Sequence, residues 1–156
     1  MNNGDELGDL LASFVNRVSH PRGRALSFLA REGLTVDQAI LLNYAKLRPG
    51  STPSALAESM NLSLPSASQM LDRLHRMGMV ARSEDPTDRR RKTIDVTAKA
   101  ATFLEAFHDV RCEEFLVGTA PLSATTRQAL SIVIKTALDE FAEAEQIGSE
   151  TKENTP

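Results

Sequence analysis

The 156-residue sequence has one cysteine, Cys112, and no tryptophan, and its aromatic residues amount to 4%. A single cysteine cannot close an intramolecular disulfide, which excludes a disulfide-stapled secreted scaffold and points to a reducing, cytoplasmic setting. Cysteine and histidine do not cluster at metal-ligand spacings, which excludes a zinc finger. So few aromatics speak against binding nucleic acid by stacking bases on an aromatic platform. No apolar run approaches the roughly 18–20 residues that span a bilayer, and residues 1–10 are acidic where a signal peptide starts basic, so neither membrane insertion nor export is expected. Nor is there a surplus of positive charge: 18 basic against 21 acidic residues give a formal net charge of -3. That excludes a bulk polybasic binder. What is present, 41% hydrophobic and 25% charged residues, is the mix of one globular domain.

The charge is spread unevenly. Residues 72–92 hold seven basic and four acidic groups, and residues 93–156 hold five basic and eleven acidic. A basic reading head inside an acidic chain can meet a polyanion while the total stays negative.

Apolar periodicity orders the elements. Leu7, Leu10, Leu11, Phe14, Val15 and Val18 mark a helix over about 5–19. His20-Pro21-Arg22-Gly23 interrupts it, and Ala25, Leu26, Phe28 and Leu29 resume a short apolar segment that stops at Gly33. Thr35 caps a helix with Val36, Ile40, Asn43, Tyr44 and Leu47 on one face, and Pro49-Gly50 ends it. Thr52-Pro53 opens a short helix to about Met60. After the three-residue turn Asn61-Leu62-Ser63, Ser63 caps a helix running to Met77 with Ala67, Met70, Leu71 and Leu74 as its inner stripe. Gly78 stands where a left-handed residue is wanted beyond the helix end. Two helices joined so tightly have the spacing of a helix-turn-helix. The period then falls to two over Met79 to Ser83 and Thr93 to Thr97, and a hairpin placed directly after a helix-turn-helix makes a winged helix. Thr97 starts a long helix with Ala100, Phe103, Leu104 and Phe107, ending near Gly118. Ser123 starts a last one with Leu130, Val133, Ile134, Ala137, Leu138 and Phe141.

The fold expected is mainly α with a small β-hairpin wing: a winged helix-turn-helix over 34–97, helical dimerisation regions over 5–30 and 98–147, and a disordered tail over 148–156. The terminal helices carry more apolar surface than so small a monomer can cover, which implies a twofold homodimer; the bland alternative is a monomeric helical cap.

With the inner stripe of the Ser63-capped helix in the core, its outward face is Pro65, Ser66, Ser68, Gln69, Asp72, Arg73 and Arg76. A recognition helix enters the major groove N-terminal end first, so Ser66, Ser68 and Gln69 can reach base edges or phosphates, and Arg73 guanine or phosphate. The competing reading is a solvated helix face. At the wing, Arg89, Arg90, Arg91 and Lys92 repel one another unless a polyanion relieves them, and a narrow minor groove suits such an arginine. Asp85 and Asp88 are read as holding the hairpin and aiming the arginines. Thr52 and Ser54, with Lys46 or Arg48, belong near the DNA backbone. The histidines His20, His75 and His108 are read as having no helical metal partner, and Cys112 as a packed side chain rather than a redox switch. No phosphate-binding glycine loop, nucleophile elbow or paired-carboxylate site is visible, so no enzyme, metal or cofactor is expected.

The wing Asp85-Pro86-Thr87-Asp88-Arg89-Arg90-Arg91-Lys92, followed by Ile94-Asp95-Val96-Thr97, resembles the D-P-x-D-x-R signature of the MarR family of bacterial transcriptional regulators. Leu71-Asp72-Arg73-Leu74 with Gly78 and Val80, Leu34-Thr35 with Gln38 and Leu42, and Leu122-Ser123 are similar to its other landmarks. The resemblance implies that Arg90 reaches the minor groove and that Asp72 positions it through a salt bridge. It also implies a homodimer on a pseudo-palindromic double-stranded DNA operator, usually a repressor, found on the nucleoid when bound and released by a small, often phenolic or anionic effector. His20, Arg24, Tyr44 and His108 are the polar groups near such an effector's expected place. Ala100-Ala101 departs from the glycine many members carry there. The N-terminal cysteine of the family's peroxide sensors is absent. The rival reading is a winged-helix adaptor or antirepressor that binds protein and no DNA. Salt-dependent binding to the chain's own promoter region separates the two.

Overall fold

The computed structural model describes the backbone of residues 3–19, 23–84 and 92–153, and the side chains of residues 6–19, 23–84 and 92–144. In chain order the elements are α1 (Asn3–Val18), α2 (Arg24–Arg31), α3 (Val36–Leu47), α4 (Pro53–Ser59), α5 (Leu64–Arg76), β1 (Val80–Glu84), β2 (Lys92–Val96), α6 (Ala98–Thr119) and α7 (Ala124–Glu153). The described residues thus make a helical protein with one two-stranded antiparallel hairpin. No helix among them is long and apolar enough to cross a membrane. The chain forms two compact units, Met1–Phe115 and Leu116–Pro156.

Local capping chemistry starts α3, α4 and α5 where the sequence places them. Thr35 accepts from the Gln38 backbone N–H while the Gln38 side chain accepts from the Thr35 N–H, a reciprocal box that satisfies two otherwise orphaned donors. Thr52 and Ser63 do half of this for α4 and α5. At the far end of α5, Gly78 takes φ +69 and Met79 N–H reaches back to the Leu74 carbonyl, closing the helix as a left-handed C-terminal cap. Asn61, in the turn between α4 and α5, adopts φ 52, a conformation its short polar side chain tolerates better than most.

The core gathers one face of each of α2 to α6 and of both strands: Leu41, Leu42, Leu56, Leu71, Leu74, Val80 and Ile94 are closed to solvent, and Phe103 and Leu104 of α6 join them. Ile94 pairs with Arg82 across the hairpin and with Ser51 on its other side, so the wing is anchored to the α3–α4 connection by a third short pairing. Asp95 adds a hydrogen bond from the Gly50 N–H at 2.8 Å. The apolar stripe expected along α3 proves to be its outer face. Val36, Ile40 and Leu47 are exposed, whereas Gln38, Ala39, Leu41, Leu42 and Ala45 face the core. The helix is apolar on both sides, and periodicity alone cannot say which side the fold buries.

One buried carboxylate has no counterpart in the sequence reading. Glu114 of α6 accepts a hydrogen bond from the Ala25 N–H at 3.2 Å, so a residue 89 positions away caps α2, whose own N-cap, Gly23, offers no side chain. A Cβ at position 23 would lie 1.9 Å from Glu114 Oε1. Losing a cap costs about 1 kcal/mol, or roughly 4–8 °C in a unit of this size. Gly23→Ala and Glu114→Ala are each expected to lower the Tm by about that much. The double variant should fall no further than the worse single one, because both break the same contact. Additive losses in thermal unfolding would refute the shared contact.

In the second unit, Ser123 caps α7 by accepting from the Thr126 N–H, and Arg127 donates to the carbonyls of Ala120 and Leu122, fixing the turn before it. Ile132, Val133, Ile134, Leu138 and Phe141 of α7 are exposed, as are Leu7, Leu10, Leu11 and Val15 of α1 in the first unit. α7 continues to Glu153, through most of the segment expected to be a disordered tail. Residues 150–153 are Glu, Thr, Lys and Glu. Glutamate and lysine propagate a helix already nucleated upstream at little cost, which a lack of apolar period does not reveal.

Candidate nucleic-acid interface

The first turns of α4 and α5 are built alike. Thr52 Oγ1 lies 3.0 Å from Ser54 Oγ, and Ser63 Oγ lies 2.8 Å from Ser66 Oγ, so each helix opens on a pair of linked hydroxyls. The tight turn at Asn61 sets these two openings side by side, and β2 brings Lys92 to the same place. Thr52, Pro53, Ser54, Leu64, Ser68 and Lys92 line one open cleft of about 360 Å³. Three stretches singled out separately in the sequence, the backbone-contact hydroxyls, the recognition helix and the base of the wing, therefore share one surface.

On α5, Pro65, Ser66, Gln69, Asp72, Arg73 and Arg76 are exposed, and Ser68 is half-buried. Among the described residues no hydrogen bond engages the side chain of Ser68 or Gln69, so both are unspent. Arg73 is used differently: its Nη2 donates to the Gly33 carbonyl at 3.1 Å, tying α5 to the end of α2. Arg76 Nε makes a long 3.4 Å contact with the Asp72 carbonyl. Asp72 carries a second role through its carboxylate, which accepts from Arg82 Nη2 on β1. His75 Nδ1 meets the Val80 carbonyl at 3.0 Å. The C-terminal end of α5 is held from α6: Thr97 Oγ1 donates to the Gly78 and Met79 carbonyls, and Lys99 Nζ to that of Met77 at 2.9 Å.

Lys92 pairs with Glu84 at 3.2 Å across the last register position of the hairpin. Asp85, Asp88, Arg89, Arg90 and Arg91 lie outside the described residues, as does His20. The partner of Asp72 that the structure provides is thus Arg82, which the sequence reading did not single out. Only its face was readable: Arg82 lies two positions from Val80 and so on the same side of β1, while the group it meets depends on how the strand returns along α5. Leu64, which also lines the cleft, was not singled out in sequence either.

A second cavity, of about 470 Å³, lies between α3 and α6 and is lined by Ile40, Asn43, Tyr44, Leu47, Leu104, Phe107, His108 and Arg111. It brings together Tyr44 and His108. Arg24 lies elsewhere, paired with Glu113 at 3.1 Å. Phe28, Phe103 and Phe107 stack with centroids 5.7–6.2 Å apart, and Arg111 lies over Phe107 and Phe115. The reading of Cys112 and His108 needs correction. They are four apart on one helix, and Cys112 Sγ sits 3.4 Å from His108 Nε2. Cys112 is exposed rather than packed, because only the face through Ala100, Phe103 and Leu104 is buried in this helix and Cys112 turns away from it. No group of three or more potential metal ligands occurs among the described residues.

The MarR family model matches residues 32–91, a span from before α3 into the wing. No curated protein matches the chain. Among solved structures, wild-type apo MarR of E. coli is similar at a TM-score of 0.65 and 22% identity, over 88% of this chain and 98% of that one. A DNA complex of S. aureus MepR is similar at 0.62 and 24%, over 76% and 89%. MepR solved as a transcription regulator of the Staphylococcus aureus multidrug efflux pump MepA gives 0.65 and 19%, over 90% and 99%. At these identities the likeness is one of fold.

Proposed function

We propose that this protein is a transcription regulator of the MarR family, whose model matches residues 32–91, and that it binds double-stranded DNA sequence-specifically as a homodimer. The observation that carries the reading is the single cleft shared by Thr52, Ser54, Ser68 and Lys92. Hydroxyls and an ammonium group hold a phosphate strand there, while Ser66, Gln69 and the rest of the outer α5 face meet the major groove. Arg89, Arg90 and Arg91 extend the contact into the neighbouring minor groove, Arg90 foremost. Arg73 and Asp72 serve chiefly to hold α5, through Gly33 and Arg82. The similar MepR has been solved with DNA.

The exposed apolar stripes of α1 and α7 supply the dimer contact in this proposal, and two-fold symmetry then presents two copies of α5 to half-sites about one helical turn, roughly 34–36 Å, apart. The cavity beside Tyr44 and His108 receives a small phenolic or anionic effector that releases the operator. Repression is the output expected.

Binding to duplexes from the chain's own promoter region, measured from 50 to 300 mM salt, tests the reading. Affinity should fall steeply with salt. No binding at the lowest salt would overturn it in favour of a protein-binding adaptor. In sedimentation at micromolar concentration the chain should run at twice its monomer mass, and Leu138→Asp with Phe141→Asp should return it to the monomer. A wild-type monomer would refute the dimer.

A further inference from the structure

Leu64 is the first residue of α5, and half of its surface is exposed. It takes no part in the core cluster. Yet it does not stand in open solvent among other apolar groups. It lines the cleft of Thr52, Ser54, Ser68 and Lys92, where every other side chain except Pro53 ends in a hydroxyl or an ammonium. Ser63 before it caps the helix and Pro65 after it stiffens the turn, so the position of its side chain is set by the backbone rather than chosen by a flexible loop. A leucine can offer a phosphate nothing and leaves apolar surface in water when the protein is free.

The reading proposed above puts a phosphate strand on these hydroxyls and the N-terminal end of α5 in the major groove. On that reading, the group Leu64 meets is on the groove wall beside the backbone. One base presents an aliphatic group there, the C5-methyl of thymine. We infer that Leu64 is a specificity-determining residue that recognises a thymine methyl in each half-site, next to the phosphate held by Thr52, Ser54 and Lys92. Burying one methyl against the leucine is expected to tighten binding about three- to fivefold. It selects T over C at a position where no hydrogen bond is made.

The test uses the full chain and a duplex obtained by in vitro selection, in which each thymine is replaced singly by deoxyuridine, a change that removes the methyl and nothing else. Wild-type protein should lose about three- to fivefold in affinity at one thymine per half-site, related by the dyad. Leu64→Ala should bind thymine and deoxyuridine equally there, and Leu64→Met should keep the discrimination. An unchanged Tm for both variants is expected from the exposure of the site. Binding with no methyl effect, or with one that persists in Leu64→Ala, overturns the inference alone. Failure to select or bind any duplex at 50 mM salt overturns the regulator reading, and this inference with it.

Discussion

Alanine in place of Arg89, Arg90 and Arg91 together is expected to weaken DNA binding about a hundredfold at 0.15 M salt and to leave thermal unfolding unchanged. Each phosphate that is no longer neutralised reduces the slope of log K against log salt by about 0.9, so three of them reduce it by about 2.7. A slope of that size, acting from 1 M down to 0.15 M, amounts to roughly two orders of magnitude. Lys92 is paired with Glu84 and shares its ammonium between that carboxylate and the cleft. Arg73 is committed to Gly33 and Arg82 to Asp72. Among single replacements Arg90→Ala should account for the largest part. Equilibrium binding over a salt series decides the matter: an unchanged slope in the triple variant would remove the wing from the interface.

Leu74→Ala is expected to have the largest effect on stability. The side chain is closed to solvent among Leu41, Leu42, Leu71 and Ile94 in the core on which α5 rests. Truncating a leucine at such a site costs about 2–5 kcal/mol, out of about 5–15 kcal/mol for a whole domain. The Tm should drop by at least about 10 °C. Any DNA affinity that survives at low temperature should be near the wild-type value, since Leu74 touches nothing outside the core. Gln69→Ala on the opposite face of the same helix is the matching control: it should leave the Tm within a degree or two and lower affinity. A Leu74→Ala protein as stable as wild type would mean that α5 is not seated as described.

Much of this architecture was legible because it is local. A cap needs a hydroxyl and the next turn of backbone, so Thr35, Thr52, Ser63, Thr97 and Ser123 announced their helices in sequence, and Gly78 announced the end of α5. The hairpin was placed to within one residue, since alternation in Ile94 and Val96 follows directly from the pleat. The partners of charged side chains were not legible. Arg82 with Asp72, Arg73 with Gly33 and Glu114 with Ala25 are separated by 10, 40 and 89 positions, and only the closed fold brings them within reach. The buried side of α3 was illegible for a different reason: both of its faces are apolar, and the choice between them is made by what packs against it. The pairing of Cys112 with His108 was within reach of the sequence, since four positions on a helix is one turn.

The fastening of α5 has a mechanical consequence. Thr97, just before α6, and Lys99 in its first turn grip the Gly78 and Met77 carbonyls just past the end of α5, while Arg82 and the Val80 carbonyl hold α5 from the strand side. A helix clamped at several points does not swing on its own. It is expected to follow α6, a rod-like helix of 22 residues and about 33 Å at 1.5 Å per residue. Tilting that rod by about 5° carries its end roughly 3 Å, close to the rise of one base pair along a DNA strand. On the proposed reading, a change of shape far too small to disturb the core would therefore be enough to put α5 out of step with the groove.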